Sequence, residues 1–571
     1  MCGIAGISSS SHRELGPLLK EMLQSMQHRG PDGAGFVIGE SCERGERLED
    51  LTFRGKKGIH ALGHVRLAIT GGPTGLQPFM SQDGSLSLLH NGEIYNYREL
   101  AKELGIDPVE LTGSDSEVLM KLVEREYGGD LASAVERVLP RLDGVYALAL
   151  TDGKQTVVAR DKIGVRQLYY YEKGGLVGFA SEKKPLIALG GDGVDIRRVP
   201  PGHLMVISPD GYSTRPFWSV GTLRDGEVIS DMTEALAAYG AAIRNAVAKR
   251  VAGRDRVGII FSGGVDSFLI VHLVRTLGVP FTCYTAGRGP DAPDLDWAER
   301  IAREHSFPLK VMKLNLESIE GRIPQVIHDI EDNSLNQVEV AIPIHASVQM
   351  AQENGERVIL NGQGADELFG GYAWYPKIVD QEGYDAFVAR SWEDTCLLYK
   401  ECLEREDKIA MAHSIELRVP FLDPEVIRAA FSIAPQLKIF GGDDRLGKQI
   451  HREYCHSIGI PSEIAFRTKE AAQHGANVHH AFEQIADSHG LSHTLMDDIE
   501  YNPDRTVTEK LGSSSRYGFR YGEQHLWKPL PHVQFYLDHH AAQLGLLPPL
   551  PRFHFEDVQR KLADKGVSVG G

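Results

Sequence analysis

Val257-Gly258-Ile259-Ile260-Phe261-Ser262-Gly263-Gly264-Val265-Asp266-Ser267 decides the fold of the larger part of this chain. An unbroken apolar run without polar alternation predicts a strand buried on both faces. Two glycines then let the backbone turn, and the apolar residues from Phe268 to Leu277 predict a helix opening directly after them. Strand, glycine loop and helix N-terminus make an anion cradle, because glycines let backbone N–H groups approach and the helix dipole favours negative charge. The Gly-Lys-Ser/Thr ending of a Walker loop is absent. Downstream, Phe281-Thr282-Cys283-Tyr284 reads as the next strand and Trp297 to Glu304 as the next helix. That alternation implies an α/β doubly wound parallel sheet.

Upstream the texture changes. Leu236, Tyr239, Ile243 and Val247 recur at helical spacing, and residues 209–230 are turn-rich and polar, so a domain boundary is expected near 215–230. Before it, Val145-Tyr146-Ala147-Leu148-Ala149-Leu150 is followed by Thr151-Asp152-Gly153 and then Thr156-Val157-Val158-Ala159, the pattern of hairpins stacked in sheets. A helix is expected at Ser114-Asp115-Ser116-Glu117, where Ser114 and Glu117 have capping-box spacing and Val118, Leu119, Leu122 and Val123 supply an apolar stripe. The first domain is therefore mixed, α+β. Beyond about residue 490 the periodic signals weaken toward Pro548, Pro549 and Pro551.

Composition narrows the function classes. The chain has 571 residues, 61 Lys and Arg against 78 Asp and Glu, a formal charge of −17, and 42% hydrophobic residues. At roughly 150 residues per domain this suits two to four domains, and collagen-like and disordered classes are excluded. Net acidity argues against a broad nucleic-acid-binding surface, which needs clustered Lys and Arg. No window reaches the length of a membrane span, and Met1-Cys2-Gly3-Ile4-Ala5-Gly6-Ile7 lacks the basic region and long apolar core of a secretory signal. The six cysteines contain no CxxC pair, so a cytoplasmic protein without structural zinc is expected. His474, His479 and His480 read as a solvated helix face rather than a metal site.

The N-terminus carries chemistry of its own. Removal of Met1 ahead of Cys2 and the small Gly3 leaves one residue with both a thiol and a free α-amine. An amine with a pKa of about 8 can accept the thiol proton, so the nucleophile carries its own base. With His28-Arg29-Gly30-Pro31-Asp32, Gly63-His64-Val65-Arg66-Leu67, His90-Asn91-Gly92-Glu93-Ile94-Tyr95-Asn96 and Gly113-Ser114-Asp115-Ser116-Glu117, this start resembles the glutamine-hydrolysing domain of class II amidotransferases, N-terminal nucleophile hydrolases with an αββα sandwich. The resemblance implies that Cys2 attacks the glutamine amide and that Asn91 and the Gly92 N–H stabilise the oxyanion. It implies that Arg66 clamps the glutamine α-carboxylate, that Asp115 pairs with its α-ammonium, and that Glu93 orients an amine beside them. Taken alone, Asn91-Gly92 also suits a type I′ hairpin turn, and Asp115 a helix N-cap.

In the second half, Ser262 to Ser267 resembles the pyrophosphate loop of the ATP pyrophosphatases. Val358-Ile359-Leu360 leads into Asn361-Gly362-Gln363-Gly364-Ala365-Asp366-Glu367-Leu368-Phe369-Gly370-Gly371-Tyr372, whose adjacent acids are costly unless they meet a cation such as Mg²⁺ on ATP phosphates. Ser414-Ile415-Glu416-Leu417-Arg418-Val419-Pro420-Phe421-Leu422-Asp423 and Phe466-Arg467-Thr468-Lys469-Glu470 follow. These segments resemble the ATP-pyrophosphatase synthetase domain of the glutamine-hydrolysing asparagine synthetases. The resemblance implies that Ser262, Gly263, Gly264, Asp266 and Ser267 contact pyrophosphate, that Gly362 and Gln363 lie at the nucleotide, and that Asp266 and Asp366 hold Mg²⁺. Asp294 is a further metal candidate, and Lys469 would offset the charge that builds as a carboxylate attacks the α-phosphate.

The expected organisation is a glutaminase domain over residues 2–215, a synthetase domain over 230–490 and a C-terminal extension over 491–571, in which Lys510 to Tyr517 suggests a pocket edge. The expected reaction uses glutamine, aspartate and ATP to make asparagine, with a homodimer left open. Two positions depart from the family pattern. Gln363 stands where many members carry Glu, and a neutral amide suits binding rather than base catalysis. Glu339 falls where some relatives have an Arg for the acceptor's carboxylate, so another residue recognises that carboxylate, the register slips, or the acceptor is a sugar acid, cofactor or peptide. A nutrient-sensing module without turnover is a further alternative; a tRNA-modifying enzyme is disfavoured by acidity and the missing CxxC.

Overall fold

A computed structural model describes residues 2–72, 75–106, 113–191, 195–224, 226–289, 292–468, 475–499, 519–521, 524–527, 530–546 and 549–567. In chain order the first strands are β1 (Cys2–Glu14), β2 (Ala34–Ile38), β3 (Ser41–Gly45), β4 (Lys57–Arg66), β5 (Phe79–Met80), β6 (Ser87–Ile94) and β7 (Gly144–Thr151). β8 (Thr156–Arg160), β9 (Tyr169–Lys173), β10 (Leu176–Ala180), β11 (Arg197–Arg198), β12 (His203–Ser208) and β13 (Gly211–Pro216) follow. They form two antiparallel sheets, in the orders β11-β9-β10-β1-β4-β2-β3 and β13-β12-β8-β7-β6-β5.

β7 shows why the layers stack. Its two-residue period sends Tyr146, Leu148 and Leu150 to an outer cluster with Val118, Leu122 and Val135, while Ala147 and Ala149 face Ile4, Leu62 and Phe179 of the other sheet. Small residues between the sheets let them approach, and helices cover both outer faces. The result is the expected αββα sandwich. Asn91 and Gly92 lie inside β6, paired with Ala147 and Tyr146, so the hairpin-turn alternative fails. The helix at Asp115–Glu126 begins where expected, but Ser114 at its N-cap makes no side-chain capping bond. Burial of Val118, Leu119, Leu122 and Val123 secures that helix instead.

The chain leaves the second sheet at Pro216 and enters the helix Met232–Val251, capped by the Asp231 side chain. Then come β14 (Val257–Ile260), β15 (Phe281–Arg288), β16 (Leu309–Leu314), β17 (Val358–Leu360) and β18 (Glu416–Arg418), all parallel, in the order β16-β15-β14-β17-β18. Strand order reverses between β14 and β17. The loops leaving their C-terminal ends thus flank a crevice, the place where open α/β sheets bind ligands.

The described helices of the weakly patterned C-terminus pack on this domain. The helix Pro531–Gln543 buries Val533, Phe535 and Leu537, and it also buries Gln534 and Asp538. Gln534 accepts from the Leu335 N–H at 3.0 Å, and Asp538 accepts from Asn333 Nδ2 at 2.6 Å. Residues Lys510 to Tyr517 lie outside the described residues. Among those described, no helix is long and apolar enough to cross a membrane.

Candidate active site

Cys2 opens β1 and pairs in register with Arg66, the last residue of β4. Its N–H donates to Asn91 Oδ1 at 3.0 Å, across from one sheet to the other, and its thiol lies 3.9 Å from the Leu67 carbonyl. Burial pushes the thiol up. Asn91 Nδ2 faces Ser181 Oγ at 3.3 Å, so the amide oxygen is the end turned to Cys2. A Cβ at Gly92 would stand 2.1 Å from the Val145 carbonyl oxygen, which only glycine avoids. His64 and His90 lie behind, both pushed down to about 3 by burial and therefore neutral.

Arg66 and Asp115 converge on one residue. Arg66 Nη2 donates to the carbonyls of Thr70 at 3.0 Å and Gly72 at 2.6 Å, while Thr70 Oγ1 donates to Asp115 at 3.4 Å. Asp115 also accepts from the N–H groups of Ile94 at 2.8 Å and Ser116 at 3.0 Å; burial nonetheless raises it to about 6. A guanidinium and a carboxylate on either side of a threonine suit the two ends of an amino acid. Glu93 is placed differently from its expected role: its carboxylate is buried against the Arg418 guanidinium, which comes from β18 of the other half.

The second site fills the crevice between β14 and β17. Gly263 takes φ +74° and a Cβ there would meet Trp297 at 2.5 Å, while its carbonyl accepts the Trp297 indole N–H at 2.9 Å. Ser267 Oγ ties back to the Gly264 carbonyl at 3.1 Å, and the helix Val265–Thr276 starts three residues before the expected Phe268, putting Asp266 in its first turn. From the β17 side, Gly362 backs onto Asp266, and the Gln363 N–H donates to Asn361 Oδ1 at 3.0 Å. Asp366 opens the short helix Ala365–Phe369.

Sequence reasoning missed the residue at the centre of this cleft. Lys448 Nζ lies 2.8 Å from both oxygens of Asp266 and 2.8 Å from Asp366. It sits in a left-handed conformation, φ +56°, at the N-cap of the helix Gln449–Ser457, with its side chain 1% exposed. His451 on the next turn reaches Asp266 at 3.2 Å, and Arg452 and Arg467 also line the cleft. Arg467 binds Asp294 at 2.7 Å and stacks over Trp297, so the candidate metal contact Asp294 is engaged by a guanidinium. Lys469 lies outside the described residues; Thr468 before it lines the cleft. Glu339, the residue that cast doubt on the acceptor, is buried and paired with His479 Nδ1 at 2.6 Å. That hydrogen bond holds His479 above its ordinary range and ties it to Glu339, so His479 is not simply a solvated face. His474 lies outside the described residues.

A seam of buried charge joins the two sites. Arg29 Nε donates to the Cys2 carbonyl at 3.1 Å, and its terminal nitrogens reach Glu182 at 2.9 Å and Asp407 at 3.0 Å. Arg166 reaches Asp407 at 3.1 Å and Glu416 at 3.5 Å, and Arg198 pairs with Glu404. Ser414 Oγ donates to the His28 carbonyl at 2.7 Å.

The chain matches the family model for a glutamine amidotransferase domain over residues 1–235 and that for asparagine synthase over residues 238–394 and 379–538. A Methanocaldococcus jannaschii protein named "Putative asparagine synthetase (glutamine-hydrolyzing) 1" is 33% identical over 537 residues, covering 86% of this chain and 96% of that one. A glutamine-hydrolysing asparagine synthetase of Sandersonia aurantiaca is 30% identical, covering 90% of this chain and 91% of its own length. Asparagine synthetase 2 of Arabidopsis thaliana is 29% identical over 91% of this chain and 84% of its own length. A cysteine-headed αββα sandwich joined to a doubly wound sheet, both halves matched in order, places the chain in the glutamine-hydrolysing asparagine synthetase family.

Proposed function

We propose that this chain is a glutamine-dependent asparagine synthetase, an ATP-dependent C–N ligase, with residues 2–215 as the glutaminase unit, 230–490 as the synthetase unit and 491–571 as a C-terminal extension of the latter. The observation that carries the reading is Lys448 held between Asp266 and Asp366 at the switch point of the parallel sheet. An ammonium there can follow negative charge as it moves onto pyrophosphate.

Once Met1 is removed, the Cys2 nitrogen held by Asn91 Oδ1 is the α-amine, oriented to take the thiol proton. The thiolate attacks the glutamine amide carbon while Arg66 and Asp115 hold the two α-groups; the tetrahedral adduct takes the proton back from the α-ammonium on its nitrogen, expels ammonia and leaves a thioester that water opens to glutamate. The Gly92 N–H serves the oxyanion, while Asn91, with Oδ1 on the Cys2 nitrogen and Nδ2 on Ser181, orients the α-amine. At the second site the aspartate side-chain carboxylate attacks the α-phosphate of ATP, pyrophosphate departs along the Ser262–Ser267 loop, and ammonia then displaces AMP. We assign to Lys448 the charge-offsetting role first expected of Lys469. Asp266 and Asp366, bridged by Lys448, would together with phosphate oxygens hold Mg²⁺, and the ion would neutralise phosphate charge there. The Glu339 carboxylate is engaged by His479 Nδ1, which supports aspartate as the acceptor. The same reading puts the enzyme in the cytoplasm and leaves a homodimer open.

The test is product analysis with ATP, Mg²⁺, aspartate and glutamine carrying heavy nitrogen in its amide. Labelled asparagine with matching AMP supports the reading; glutamate release without AMP or asparagine rejects aspartate as acceptor.

A further inference from the structure

The helix Leu403–Ala412 carries five consecutive ionisable residues, Glu404 to Lys408, and all are buried. Burying such a run is costly unless each member has a partner. Successive residues on a helix point about 100° apart, so neighbours reach different places. Glu406 accepts from Asn361 Nδ2, and Asn361 Oδ1 in turn fixes the Gln363 N–H in the loop after β17. Asp407 takes Arg29 Nη2 on one oxygen and Arg166 Nη1 on the other, and Arg29 Nε holds the Cys2 carbonyl.

We infer that Asp407 is a positioning residue for glutamine hydrolysis: acting through Arg29, it fixes the backbone of Cys2, while its neighbour Glu406 fixes the nucleotide loop through Asn361. The inference rests on the function proposed above and adds the element that sets one site against the other. Asp407→Asn keeps the shape but offers one oxygen where two guanidiniums were served, and removes the charge between them. Arg29 then keeps Glu182 as its anionic partner and is drawn toward it, taking Nε off the Cys2 carbonyl.

The experiment measures glutamate release from glutamine and asparagine formation from ammonia in the full chain. For D407N, kcat for glutamate release falls about a hundredfold with the glutamine KM unchanged, since a misplacement of about 1 Å has that cost, while ammonia-dependent synthesis stays within about twofold. E406Q gives the opposite split. Unchanged glutamate release in D407N, or a parallel fall of both reactions, overturns the inference. If D407N does not fold, D407E, which keeps the charge and lengthens the arm, must show the same split, and a parallel fall there is equally fatal. A wild-type protein that makes no asparagine from glutamine or from ammonia defeats the proposed function, yet the D407N effect on glutamate release remains readable.

Discussion

Replacing Lys448 by Met tests the synthetase site directly. The ammonium is 2.8 Å from each of two carboxylates and its side chain is 1% exposed, so the substitution leaves Asp266 and Asp366 facing each other without their shared cation. Breaking a buried pair costs roughly 3–5 kcal/mol; with the carboxylate side chains 18% and 16% exposed, solvent screening puts this loss near the lower end, about 3 kcal/mol. The catalytic loss is separate: one oriented electrostatic donor is worth about 10²–10³ in rate. Ammonia-dependent AMP formation reads that loss, and glutamate release from glutamine serves as the internal control because Lys448 pairs with Asp266 and Asp366 of the second half. An AMP-forming rate within about tenfold of wild type in folded K448M protein refutes the role given to this lysine.

Other outcomes follow from the same geometry. Cys2→Ala abolishes glutamate release and leaves asparagine formation from ammonia; loss of both would mean that Cys2 supports the fold rather than the chemistry. Asp115 is raised by burial to about 6, above the unfolded carboxylate value of about 3.9, so its proton favours the folded state and that contribution is lost as pH rises through about 6. Ionised Asp115 is the form that pairs with glutamine's ammonium, so the glutamine KM rises as pH falls below about 6, and D115N flattens that profile. Gly371→Ala places a Cβ 1.9 Å from Asp366 Oδ1 and 2.1 Å from Lys448 Cε; it suppresses AMP formation while sparing glutamate release, as parallel assays of the two would show.

What the sequence makes legible is local. The Ser262–Ser267 loop can be read because its glycines, its strand and its helix are contiguous, and the αββα sandwich because β7 alternates large and small residues with period two. Lys448 is different: it enters the cleft by a chain return 182 residues from Asp266, and the only local sign is the Gly447-Lys448 step before a helix. Glu93 and Arg418 are 325 residues apart, so nothing near Glu93 reveals that its carboxylate is taken. The Asn91-Gly92 pair misleads for the opposite reason, since its turn propensity is overridden by a strand paired residue by residue with β7. The helix Pro531–Gln543 escapes periodicity because it buries Gln534 and Asp538 along with its apolar residues, and only their partners Asn333 and Leu335 make sense of that.

The short strand β18 gives the chain a constraint on how it can be taken apart. It is the edge of the parallel sheet, and its two charged residues, Glu416 and Arg418, face Arg166 and Glu93 of the sandwich. Cut away from residues 2–215, the remainder would present an open sheet edge beside stranded ions, a surface suited to sticking to its own copies. The halves are therefore poor cassettes for grafting: a foreign glutaminase fused to this synthetase would need acidic and basic groups at the sites of Arg29, Glu93 and Arg166 before the joined protein stayed soluble.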